Sequence, residues 1–205
     1  MLESWLPRRL MLGALLGVLT SLALADESLQ SLVADAEAGN TEAQFTLGNR
    51  YLSGDGVSQD NFEALRWLTL AAESDNANAQ YNIAVMYLNG LGVVKDQAQA
   101  VAWFVRAAEN GDTPSQYTLA VLLFNGQLGV PRNVPQAYKW FTLAGAAGHQ
   151  EAAANAVLVQ ELLPANEVEA MQAEARAWIE SFNQRDTQSG TGAASGPDSN
   201  PDETP

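Results

Sequence analysis

Residues 79–108 read AQYNIAVMYLNGLGVVKDQAQAVAWFVRAA. Residues 43–72 repeat that text as AQFTLGNRYLSGDGVSQDNFEALRWLTLAA, and residues 115–145 as SQYTLAVLLFNGQLGVPRNVPQAYKWFTLAG. The tryptophans set the register: Trp67 to Trp103 is 36 residues, and Trp103 to Trp140 is 37. A fixed period of this size marks a solenoid built from one stacked supersecondary unit. Solenoids present extended surfaces and mostly bind.

Each repeat predicts two helices. In the first, A, the sets Ala43/Leu47/Tyr51, Ala79/Ile83/Tyr87 and Ser115/Leu119/Leu123 fall on one face. A small residue follows the bulky central one each time (Gly48, Ala84, Ala120), giving a neighbouring helix room to approach. The turn carries Gly54/Gly56, Gly90/Gly92 and Gly126/Gly129, suited to positive φ. Unit three has one extra residue between its glycines, which accounts for the spacing of 37. A phosphate-loop reading fails, because no Walker lysine follows and no strand precedes. The second helix, B, opens with Asp60/Glu63, Asp96/Gln99 and Asn133/Gln136, each spaced as a capping box. It then buries Ala64/Trp67/Leu68/Ala71 and the equivalents around Trp103 and Trp140.

The predicted architecture is all-α: a right-handed α-solenoid over residues 26–183 with capping helices at both ends. A leading helix covers 28–38, and repeats cover about 40–75, 76–111 and 112–148. A half repeat and a capping helix fill 149–183. Residues 184–205, rich in Gly, Ser, Pro and Asp, read as a disordered tail.

Residues 1–25 read as a secretory signal: Arg8-Arg9, an apolar run from Leu10, and Ala23-Leu24-Ala25 before Asp26-Glu27. The run is short for a transmembrane span, so no stable membrane insertion is expected after cleavage. The expected location is periplasmic or secreted. Net charge is −14, and removing residues 1–25 leaves 23 acidic against 8 basic residues. That balance repels phosphate backbones and argues against nucleic acid; it suits a solvated surface or a basic partner. The chain has no cysteine, which excludes disulfides and thiolate chemistry.

These residues carry a resemblance. The pattern A-x-x-x-L-G-x-x-Y, a G-x-G-V turn, an Asp cap and A-x-x-W with a paired alanine resembles the Sel-1-like repeat (SLR) family, relatives of tetratricopeptide repeats. Ala84, Ala120 and Leu123 depart from it. The resemblance implies an α-solenoid that acts as an adaptor for a protein or peptide partner. Exported bacterial members of the family resemble envelope regulators or scaffolds. A cysteine-rich branch linked to β-lactam binding and hydrolysis is not matched here, since its cysteines are missing.

No catalytic set stands out. One histidine, His149, aligns with the cap positions Asn40, Asn76 and Asp112. No G-x-S-x-G, S-x-x-K or calcium loop occurs. The chain reads as a non-catalytic, monomeric interaction module with no metal and no cofactor. A cell-wall-related or β-lactam-acting enzyme and a structural envelope scaffold stand as alternatives. The candidate partner-binding residues lie off the main A-helix face: Phe45, Asn49, Tyr81, Val85, Asn89, Tyr117, Val121 and Asn125. By analogy with tetratricopeptide superhelices they line a groove. The competing reading has the aromatics filling the seam to the preceding B helix.

Overall fold

The computed structural model describes residues 27–189, and all regular elements among them are helices. A leading helix α1 covers 27–37. Three helical pairs follow: α2 (Thr41–Ser53) with α3 (Asn61–Glu73), α4 (Ala77–Asn89) with α5 (Gln97–Glu109), and α6 (Thr113–Asn125) with α7 (Val134–Ala146). Then come α8 (Gln150–Gln160) and a long α9 (Ala165–Ser189). Helices α2, α4 and α6 pack most heavily on the B helix of their own unit, α4 and α6 next on the B helix before them, and α8 on α7, which is solenoid stacking.

Apolar spacing builds the core. Leu47, Leu68, Ile83 and Met86 are fully buried, as are the alanines Ala64, Ala71, Ala100, Ala107, Ala137 and Ala144. Those alanines let helices approach closely, and the tryptophans fill what remains. Trp67 and Trp140 are buried; Trp103 is half-buried, packed between the cores of units one and two. A cation lies over each indole: Arg66 on Trp67 at 4.0 Å, Arg106 on Trp103 at 4.9 Å, and Lys139 on Trp140 at 5.0 Å.

Helix ends follow the sequence signals. Gly54, Gly90 and Gly126 adopt left-handed φ as C-caps. Asn40, Asn76, Asp112 and His149 are the N-caps of the four A helices, each accepting a backbone N–H from the third residue onward. The B helices form only half of the predicted capping box. Asp60 accepts from Phe62 and Glu63 N–H, Asp96 from Ala98 and Gln99 N–H, and Asn133 from Gln136 N–H. The return bond is missing because the cap's own N–H already has an acceptor. Asp60 N–H donates to Tyr51 O at 2.9 Å, Asp96 N–H to Tyr87 O at 3.0 Å, and Asn133 N–H to Leu123 O at 2.7 Å. Glu63 pairs with Arg66 instead, at 2.8 Å.

Asp112 is the buried member of the A-helix caps. Burial pushes its carboxyl above the ordinary carboxylate range, against bonds from Ser115 that pull it down. Folding therefore favours the protonated form, so this residue's contribution falls as pH rises from the ordinary value through the folded one. Asp112→Asn, the residue type capping α2 and α4, is expected to raise stability at neutral pH and flatten that dependence. Asp112→Ala is expected to lose about 1 kcal/mol. Urea unfolding at acidic and neutral pH checks both.

The C-terminal end departs from repetition. In α8, Ala152 and Val159 are buried while Val157 and Leu158, and Leu162 in the turn after it, are each 62% exposed. Helix α9 lies against α7. Trp178 meets Trp140 edge-on at 6.3 Å, and Phe182 stacks on Trp178 at 5.0 Å. This helix also corrects the expected tail, because it continues through Ser189. Arg185 holds that extension, lying over the Phe182 ring at 5.6 Å and donating to Glu109 O at 3.3 Å. Residues 190–205 and the signal-like residues 1–25 lie outside the described residues.

Candidate functional site

The eight residues singled out in the sequence sit on the A helices. Phe45 and Asn49 are on α2, Tyr81, Val85 and Asn89 on α4, and Tyr117, Val121 and Asn125 on α6. The repeat period brings them together as rows, one rung per unit. Phe45, Asn49, Tyr81, Val85, Tyr117 and Val121 are half-buried, while Asn89 and Asn125 are exposed. Asn82 Nδ2 donates to Asn49 Oδ1 at 2.6 Å, tying the first two A helices together. Asn89 Nδ2 turns back to Val85 O at 2.9 Å.

The rings are braced from the helix that follows. Tyr81 meets Phe104 of α5 edge-on at 5.8 Å, and Tyr117 lies tilted on Phe141 of α7 at 5.9 Å. These two aromatic contacts run to the unit's own B helix, and Tyr117 also belongs to a core cluster that includes Ala108 of the preceding one. Tyr117 also stacks on His149 at 4.3 Å. Its phenol is raised by burial, then by the Glu151 charge and its hydrogen bond, while Asn155 opposes. The rungs stay partly exposed, and the contacts of Tyr81 and Tyr117 fix the orientation of those two rings. A surface of this kind can hold a partner by apolar contact, with Asn89 and Asn125 as polar neighbours.

Sequence reasoning missed a second ladder. Gln44, Gln80 and Gln116 are buried, each 36 residues from the next. Their Nε2 groups donate to Ala36, Ala72 and Ala108 O at 3.1, 3.0 and 3.2 Å. Each bond ties an A helix to a carbonyl at the end of the preceding helix. The signal was visible as the invariant Gln in AQF, AQY and SQY.

Among the described residues no group of three His, Asp or Glu side chains is placed to hold a metal ion. No described helix is long and apolar enough to cross a membrane.

Stacked helical hairpins in register, joined unit to unit by a glutamine ladder and carrying rows of braced aromatic rings, define a helical-repeat solenoid of the interaction-scaffold class. The Sel1 repeat family model matches residues 41–76, 77–112 and 113–149. The chain belongs to the Sel1 repeat family, whose members are generally protein–protein interaction modules and non-catalytic scaffolds. It is similar to a Sel1 repeat protein of Oxalobacter formigenes, with 38% identity and a TM-score of 0.59 over 63% of this chain and 96% of that one. It is also similar to c5321, a protective antigen of uropathogenic Escherichia coli with an SLR fold. There the identity is 24% and the TM-score 0.49, over 86% of this chain and 46% of that one. Helicobacter pylori cysteine-rich protein B gives 25% identity and a TM-score of 0.49, over 63% and 92%. No curated protein matches.

Proposed function

We propose that this chain is an exported, non-catalytic adaptor of the bacterial cell envelope that binds a protein or peptide along its A-helix rows. The row of Phe45, Tyr81 and Tyr117 carries the reading. Three half-buried rings at equal spacing offer apolar area, and for Tyr81 and Tyr117 the ordering cost is already met by their contacts with Phe104 and Phe141. A core role alone would not require their outer parts to stay uncovered. The signal-like residues 1–25 support export, and the acidic surface favours a partner with basic flanks.

Affinity capture from the native envelope, with wild type and Tyr81→Ala side by side, tests this. Losing the edge contact with Phe104 is expected to cost about 1 kcal/mol of stability, leaving the chain folded while capture drops at least about tenfold. Loss of capture only in proportion to unfolded protein would sink the groove. Nitrocefin turnover or muropeptide release that survives rigorous purification would replace the adaptor by an enzyme.

A further inference from the structure

The solenoid closes its two ends differently. At the start, Ser28, Ser31 and Asp35 of α1 stand where α3 buries Ala64, Trp67 and Ala71, so the open face of α1 is polar and exposed. At the far end α8 is an A helix without a B helix of its own. It packs on α7, and α9 also lies on α7. Val157, Leu158 and Leu162 are left 62% exposed, side by side in sequence, where a terminal face turned to water carries polar groups.

A helix of the B type does not fit this face. Val157 stands where units one to three have Gly48, Ala84 and Ala120. A Cβ on Gly48 would already lie 2.7 Å from Leu68 Cγ of its B helix, and Ala84 and Ala120 are fully buried. Valine is too large for that spacing. Residues 190–205 hold no bulky apolar side chain to lay over the face. The polar α1 offers nothing to a head-to-tail stack of copies.

Helix α8 does match itself reversed. Residues 150–161 read QEAAANAVLVQE, with Gln-Glu at both ends. When two copies lie antiparallel with Gln150 opposite Glu161, the same register sets Glu151 opposite Gln160, Ala153 opposite Leu158 and Ala154 opposite Val157. All eight of these residues are exposed, and the other four of the stretch are buried or half-buried. Each bulky side chain then meets an alanine, which lets the helices approach closely. Each carboxylate meets a carboxamide, which can donate to it. Glu161 also lies at the N-terminal end of the other α8, the end that favours an anion. A parallel pairing would set Glu151 on Glu151 and Glu161 on Glu161. We propose that this face joins two copies of the chain in a closed two-fold dimer through antiparallel α8 helices. Three turns of helix cover less than the roughly 800 Å² per partner of a standard interface, so the dimer is a weak one.

Sedimentation equilibrium of the full chain, from about 1 to 500 µM, tests this. The expected result is a monomer–dimer equilibrium with Kd on the order of 10–100 µM. Leu158→Lys is expected to weaken it at least about tenfold with Tm unchanged, since the side chain is exposed in the monomer. Gln150→Glu, which faces Glu161 of the other copy, is expected to weaken the dimer about threefold or more, and Gln150→Lys to strengthen it by a similar factor, both effects shrinking in salt. Should Leu158→Lys fail to fold, the Gln150 pair decides. A chain that stays monomeric throughout, as it would if a different protein covers α8, overturns the proposal. So does open-ended association, a dimer that survives Leu158→Lys (as one formed through residues 1–25 would), or the same response to both Gln150 variants.

Discussion

Trp140→Ala is expected to lower stability by about 3–5 kcal/mol. The indole is 7% exposed and belongs to the largest buried cluster, which joins α6, α7, α8 and α9. Its removal leaves a cavity at the centre of that cluster. It also removes the edge contact with Trp178, the face under Lys139, and so part of the seat of α9. Trp103→Ala is expected to cost less, because that indole is half-buried and has no capping helix over it. Chemical denaturation followed by far-UV dichroism measures both. For Trp140→Ala, hydrogen exchange should in addition show early loss of protection across α9. Equal losses for the two tryptophans would mean that α9 adds nothing to the unit-three core.

Gly92→Ala is expected to cost about 3–5 kcal/mol, combining left-handed strain with overpacking. Gly92 has φ +66°, and a Cβ there would collide with the backbone of Asn61 and Phe62 at the start of α3. Backbone cannot move aside as a side chain can, so units one and two must separate. Gly56 holds the same place in unit one with φ +70° and nothing within 4 Å. Gly56→Ala therefore carries only the conformational cost, about 1–2 kcal/mol. Thermal unfolding of the pair measures the difference. Similar shifts for both would show that the contact between consecutive units at this turn contributes nothing.

That pair shows where sequence reading stops. Gly56 and Gly92 are the same letter in the same motif, and only the stacking of one unit's turn on the preceding unit separates them. Positions set by local chemistry were legible. Left-handed glycines and N-cap residues depend on neighbours within a few residues, the tryptophan period repeats them from unit to unit, and together these placed the helices. Positions set by longer contacts were not. The half-made capping boxes depend on Tyr51, Tyr87 and Leu123 carbonyls reaching each cap's N–H from the preceding helix. Helix α9 reaches Ser189, and its far end meets Glu109, which lies 76 residues before Arg185.

The candidate rows were partly legible in the same way. Their period followed from the repeats, and so did their placement on the A helices. Their bracing by Phe104, Phe141 and His149 emerged only when the B helices and α8 were seen packed against them. Tryptophans, turn glycines, caps and buried glutamines explain how the units stack and join. What they leave unexplained is the outer part of the Phe45, Tyr81 and Tyr117 rungs.

Hydrogen exchange of the chain with and without its captured partner tests that assignment most directly. The adaptor reading predicts new protection over residues 45–52, 81–88 and 117–124, in step along α2, α4 and α6, with α3, α5 and α7 unchanged. Protection confined to the B helices or to α9, with the A-helix rows unaltered, would contradict it.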